Sequence, residues 1–95
     1  MSMKEAYVKK QQAQLNEWGA QIKKLKAKAD MAEADAQFEY YKQIEELRSM
    51  QDAVTHKLTE IKCAGDEAWK DLKVGMESAG GSFGHALKIA ASRFN

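Results

Sequence analysis

Between Leu15 and Ala64, apolar residues return every three or four positions through fifty residues that contain no proline and one glycine. This spacing places them on one stripe of a long helix, like the seam of a coiled coil. A single helix cannot bury its own stripe, so the chain must fold back on itself or associate with partners. We expect an oligomer seam that consists of Leu15, Trp18, Ile22, Leu25, Ala29, Ala32, Ala36, Tyr40, Leu47, Val54, Leu58 and Ile61.

The spacing of the apolar residues in this stripe changes near Ala36. A heptad count continued past this residue would put Glu39 and other polar residues on the seam, whereas an eleven-residue count joins Ala36, Leu47, Leu58 and Trp69. An eleven-residue repeat is typical of a straight or slightly right-handed supercoil. We therefore expect left-handed winding to relax between Ala36 and Tyr40.

The predicted fold is all-α, because Ala, Glu, Lys, Leu and Gln dominate the chain and proline is absent. Residues 1–64 form a main coiled-coil helix in this prediction, helical from about residue 4 and about 90 Å long at 1.5 Å per residue. Ser2 is the expected N-cap, with Glu5 as its capping-box partner. Gly65 suits the end of the helix, although a helix that continues through it is the alternative.

Charge is divided between the two halves of this stretch. Residues 1–30 carry seven lysines against three acids, net +4, and residues 31–60 carry seven acids against three basic residues, net −4. Two halves of opposite net charge favour antiparallel pairing of helices. We expect self-association, as an antiparallel dimer or a larger helical assembly, with another protein as a further partner. The alternative is a hairpin that turns between Asp30 and Asp35, which ranks second because no glycine or proline marks the turn.

Residues 65–95 are predicted to form a shorter amphipathic helical tail, loosened by glycine, with Gly80-Gly81-Ser82 as a hinge. Its apolar residues are expected either to pack back on the main helix near Phe38 and Tyr41 or to contact an anionic membrane or granule surface. We give packing the larger weight. The face concerned, for a partner or for lipid, consists of Trp69, Leu72, Met76, Phe83, Leu87 and Phe94.

Patterns that carry catalysis are scarce. The chain has no glycine-rich phosphate loop, no zinc-type spacing of Cys and His, and no nucleophilic serine elbow. Asp52, His56, Glu60 and Cys63 share one helical face, but a solvated polar face explains them better than a metal site. We expect no enzyme activity, no catalytic residues, no cofactor and no metal.

Four lysines (Lys23, Lys24, Lys26 and Lys28) lie close together without arginine or stacking aromatics, so we expect no nucleic-acid binding. Cys63 is the single cysteine and has no internal disulfide partner. The first fourteen residues contain no apolar segment of the kind a secretory signal needs. We expect a cytoplasmic location.

Five stretches of the sequence occur in a characteristic order: Glu5 to Lys10, Leu15 to Trp18, Lys26 to Asp30, Tyr41 to Arg48 and Ala68 to Lys73. Together they resemble a family of small bacterial coiled-coil proteins that occur in cyanobacteria and proteobacteria and are associated with the stress response. The resemblance implies a helical protein with a stress-linked role and no catalytic residues to carry over. Residues 80–84 depart from the pattern, where a second Trp-containing repeat would be expected. The expected function is that of a non-enzymatic interaction or structural protein, and the alternative is a peripheral lipid- or granule-surface protein.

Overall fold

The computed structural model describes residues 2–94 and is all-α. Its helices are α1 (Met3–Asp30), α2 (Ala34–Cys63) and α3 (Ala68–Arg93), and the described residues contain no strand. The three helices are of similar length and form a bundle of 50 × 19 × 18 Å. The prediction of an all-α protein is confirmed, but the arrangement of one long helix followed by a short one is not found.

Neighbouring helices along the chain run antiparallel, so α1 and α3 run in the same direction. Lys62 near the end of α2 donates to Gln12 near the start of α1, with Nζ and Oε1 3.2 Å apart. Tyr40, near the start of α2, stacks on Phe94, just after α3, with ring centroids 4.3 Å apart. The parallel course of α1 and α3 agrees with the contact of Tyr7 with Trp69 at one end.

The core is a single cluster of apolar side chains from all three helices, and no polar or charged side chain among the described residues is buried. Phe83, Leu58, Ile61, Met76, Leu87 and Val54 are the largest fully buried side chains. Burial of apolar surface, at about 25 cal/mol per Å², is the main favourable contribution to folding. Because the three stripes cover one another, one chain buries its own seam.

The chain reverses at Met31–Glu33, so residues 4–64 do not form the expected continuous helix. The hairpin between Asp30 and Asp35, ranked second from the sequence, is the arrangement found. The turn needs no glycine because Met31 is right-handed helical (φ −93°) and Glu33 is extended (φ −65°, ψ 152°). Residues other than glycine adopt both of these conformations readily. The absence of glycine therefore carried no information about this turn.

Hydrogen bonds from side chains of α2 stabilise the turn. The Gln37 amide donates to the carbonyl oxygens of Ala29 and Asp30, both at 3.2 Å, and so adds a hydrogen bond to each of two carbonyl groups at the end of α1. The Tyr41 hydroxyl donates to the Asp30 carboxylate, which also accepts from Lys26. These hydrogen bonds take the place of a glycine-based helix cap.

The change in apolar spacing near Ala36 coincides with the reversal of the chain at Met31–Glu33. In α2, the residues that face the bundle recur with alternating spacings of three and four: Gln37, Tyr40, Ile44, Leu47, Gln51, Val54, Leu58 and Ile61. The row in α1 has the same alternation, and the turn shifts its frame by one residue. The eleven-residue spacing is therefore explained by a break between two heptad-spaced helices, and no change of supercoil is needed. Ile44, outside the expected seam, is 2% exposed and belongs to the core.

At the other reversal, α2 ends at Cys63 and α3 begins at Ala68, close to the expected end at Gly65. Ala64 is extended (φ −79°, ψ 151°), and the Lys4 ammonium donates to its carbonyl oxygen at 2.7 Å. The expected N-cap of the first helix is confirmed, since the Ser2 hydroxyl accepts from the Glu5 amide at 3.1 Å.

The expected hinge at Gly80-Gly81-Ser82 is absent, because α3 runs unbroken from Ala68 to Arg93. None of the glycines in the described part of the chain has positive φ. Tertiary packing compensates for the low helix propensity of glycine, about 1 kcal/mol per residue. No helix among the described residues has the length and apolar character needed to cross a bilayer.

Candidate functional site

The expected oligomer seam lies inside one chain. Its buried members are Leu15, Ile22, Leu25, Ala29, Leu47, Val54, Leu58 and Ile61. Of the remaining members, Trp18, Ala32, Ala36 and Tyr40 are half-buried. The buried side chains contact the other helices of the same molecule. In this fold, a second chain therefore has no access to the buried part of the seam.

The expected partner or lipid face of the tail is also directed inward. Trp69, Met76, Phe83, Leu87 and Phe94 are buried, and Leu72 is half-buried. Their packing on α1 and α2 agrees with the preferred expectation that the tail folds back. It differs in detail, because Phe38 is 72% exposed and lies outside the core.

The residues considered for metal binding lie on the solvent side of α2. The His56 and Glu60 side chains are 3.3 Å apart and exposed, and Cys63 is an exposed free thiol. Within residues 2–94, no group of three or more His, Cys, Asp or Glu side chains is placed to hold a metal ion.

A groove between α1 and α3 is an extensive concave surface with an aromatic side chain at its floor. It has a volume of about 710 Å³ and is open to solvent. Along α1 it extends from Lys10 to Gln21, and along α3 from Met76 to Ala91. At 1.5 Å per residue these segments are about 17 and 23 Å long, or three to four helical turns.

Trp18 closes the floor of this groove by packing on the glycines of α3. A β-carbon at Gly84 would lie 3.2 Å from Cζ2 of the indole, and one at Gly80 would lie 3.8 Å from Cη2. The indole also meets Phe83 edge to face, with ring centroids 5.0 Å apart. Glycine at position 84 therefore gives the ring room to lie against the backbone of α3.

Each wall of the groove presents a row with heptad spacing. On α1 the row is Gln11, Gln14, Trp18 and Gln21, and the groove lies against all four residues. On α3 the row is Glu77, Gly81, Gly84, Lys88 and Ala91. Spacings that alternate between three and four keep a row facing one neighbour along several turns. Both rows face the same groove, next to the rows that form the core.

Charge on this side of the molecule is mainly positive. Helix α1 carries net +4 and α3 carries net +2, from four basic residues against two acids, whereas α2 carries net −2, from four basic residues against six acids. Lys10 and Lys88 are the lysines that line the groove, and Glu77 is its one acidic residue within the described part of the chain. The Glu77 carboxylate accepts from the Tyr7 hydroxyl at 3.0 Å. Partial burial, together with this hydrogen bond, raises the pKa of Tyr7 above its ordinary value.

The sequence contained signals for this groove. Gln11, Gln14 and Gln21 share the spacing of Trp18, and Gly80 and Gly84 are four residues apart, on one face of a helix. A glycine in an otherwise periodic helix often has a packing reason, and Gly80 and Gly84 have one here in place of the predicted hinge. The missing information was that an aromatic ring of another helix occupies the space.

Comparisons with protein-family models, with curated protein sequences and with solved structures find no match for this chain.

Proposed function

We propose that the protein is a non-enzymatic interaction protein of the stress response, which binds another protein in the groove between α1 and α3. The observation that carries the proposal is the pair of heptad-spaced rows on the two walls, with the indole of Trp18 between them. The core of the described bundle is filled by side chains of its own three helices, and Trp18 is the one member of these two rows that packs against it. The stress-linked role and a cytoplasmic location rest on the sequence, the former on the family resemblance.

Self-association, in this proposal, would use the outer surfaces of the bundle, because the apolar seam lies in the core. A lipid-surface role has less support than protein binding. Five of the six tail residues expected to contact lipid are buried, and their release would require the bundle to open.

Site-specific photocrosslinking in stressed cells tests the proposal. A photoreactive amino acid at Gln14 lies in the groove, whereas the same residue at Thr55 lies on the exposed side of α2 as the control. We expect a discrete crosslinked protein from position 14 and none from position 55. The captured protein is then purified, and its binding to the intact chain is measured by calorimetry. Equal crosslinking at both positions, or none at position 14, would contradict the proposal.

A further inference from the structure

We propose that the occupant of the groove is an acidic amphipathic helix of another protein, which would complete a four-helix bundle. This inference rests on the proposed function and specifies the class of partner. The groove lies between two parallel helices, and α2 packs against both of them. A fourth helix in the groove would contact α1 and α3 together.

The dimensions of the groove fit a helix. Its walls extend for about 17 to 23 Å, which corresponds to three or four turns. Helices in a bundle pack with axes about 8–10 Å apart, and the smaller separations need small side chains at the contact. Gly81 and Ala91 supply such positions along one wall, and a β-carbon added at Gly81 would meet no atom within 4 Å.

The floor of the groove favours an apolar residue on the occupant. Trp18 is only half-buried, and its side chain lines the groove. An aromatic ring that is partly covered gains further contact area when an aliphatic side chain packs on it. The flanking glutamines donate and accept hydrogen bonds, so they suit polar positions beside the apolar row of the occupant.

The charge on the groove selects an acidic helix. Lys10 and Lys88 stand on opposite walls, and both are exposed. Neither takes part in the salt bridges found among the described residues. Carboxylates that flank the apolar row of the occupant would meet these ammonium groups, as charges beside a coiled-coil seam do. Complementary charge speeds association and discriminates against basic partners.

A second copy of this chain fits less well. Its acidic helix, α2, has its apolar row buried in its own core, so it offers no apolar stripe to Trp18. A separate amphipathic helix has both features, an apolar row and acidic flanks. The two requirements together identify the partner class.

Two synthetic peptides of about two heptads, which matches the length of the groove, form the probe pair, with Leu at the seam positions. One carries Glu at the flanking positions and the other carries Lys. Titration into the intact chain, followed by amide NMR shifts, should show binding of the acidic peptide with the largest shifts along residues 10–21 and 76–91. The double variant K10E/K88E should bind it about tenfold more weakly or worse, as expected for the loss of two complementary charges. The variant K42E, on the exposed side of α2, should bind it like the wild type.

Three outcomes would overturn the inference: no binding of the acidic peptide, equal binding of both peptides, or shifts that lie outside the groove. Light scattering of the chain alone tests whether a second copy of this chain occupies the groove. A dimer that forms with rising concentration and is lost in K10E/K88E would assign the groove to a second copy and overturn the inference as well. Crosslinking from position 14 does not depend on the charge of the partner, so failure of the peptides and failure of the proposed function are distinguishable.

Discussion

Trp18 lies so close to the backbone of α3 that a β-carbon at Gly84 would be 3.2 Å from its Cζ2 atom. This contact joins α1 to α3 at the middle of the groove. The ring is held on two sides, since Phe83 meets it edge to face and Gly80 lies next to Cη2. An alanine at position 84, which would ordinarily strengthen α3, would therefore crowd a side chain of a neighbouring helix.

Gly84→Ala and Gly81→Ala should affect stability differently. At Gly81 a β-carbon meets no atom within 4 Å, so alanine should raise the free energy of unfolding by about 0.5–1 kcal/mol through helix propensity. At Gly84 the same gain is opposed by overpacking against the indole, which typically costs about 1–3 kcal/mol. We expect G84A to be less stable than G81A by about 1 kcal/mol or more, measured by urea unfolding.

The matched control for this pair uses Trp18→Ala. In the W18A background the space beside Gly84 is open, so G84A should become stabilising by about the helix-propensity difference, up to ~1 kcal/mol. The change of sign would appear as a coupling free energy in the double-mutant cycle. If G84A has the same effect with and without the indole, the contact does not decide the residue at position 84.

Phe83→Ala should destabilise all three helices together. Phe83 is 0% exposed in the core, and truncation of a buried phenylalanine costs about 3–5 kcal/mol, a large part of the stability of a small domain. Helical signal from all three helices should then melt together at a lower temperature in circular dichroism.

Phe38→Ala is the matched control for this prediction, because Phe38 is 72% exposed. Its effect should stay within about 0.5 kcal/mol, as for most surface substitutions. A loose tail would give a different result. In that case F83A would remove only the helicity of α3 and leave the melting of α1 and α2 unchanged.

The hydrogen bonds at the first turn should be visible in the titration of Asp30. The hydrogen bonds from the Tyr41 hydroxyl and the Lys26 ammonium hold the pKa of Asp30 below its ordinary value. Because the folded-state pKa is lowered, the contribution to stability is present above the unfolded pKa, about 3.9. It is lost as the pH falls through the folded-state pKa.

Carbon-detected NMR of the Asp30 carboxyl group measures this pKa. Tyr41→Phe removes the larger of the two hydrogen-bond effects and should raise the pKa of Asp30 toward its ordinary value. Tyr40→Phe removes a hydroxyl that lies 3.5 Å from the Arg93 carbonyl oxygen and should leave the Asp30 titration unchanged. Identical Asp30 titrations in the wild type and Y41F would show that the turn is not fastened in this way.

Small-angle scattering should report a compact particle. The Cα radius of gyration is 15.4 Å and the longest extent is 50 Å. A continuous helix over residues 4–64 would alone extend about 90 Å. A maximum dimension near 90 Å at low protein concentration would support the single long helix and contradict the hairpin at Met31–Glu33.

The apolar spacing in the sequence was enough to predict helices and most of the core. Leu15, Ile22, Leu58 and Phe83 were identified as members of apolar faces because a period between three and four residues places them on one side of a helix. The N-cap at Ser2 was predictable for a similar reason, since capping depends only on residues within one turn.

Tertiary structure alone decided how the stripes are covered. An apolar stripe gains the same favourable burial from a second chain as from its own, so periodicity cannot separate an oligomer seam from an intramolecular core. The first turn could not be predicted from the sequence because its residues adopt ordinary backbone conformations. The hydrogen bonds that stabilise it come from Gln37 and Tyr41 on the next helix. The roles of Gly84 and of the groove depend on where Trp18 lies in space. Sequence determined the helices and their apolar faces, and only their packing against one another decided which surfaces remained exposed.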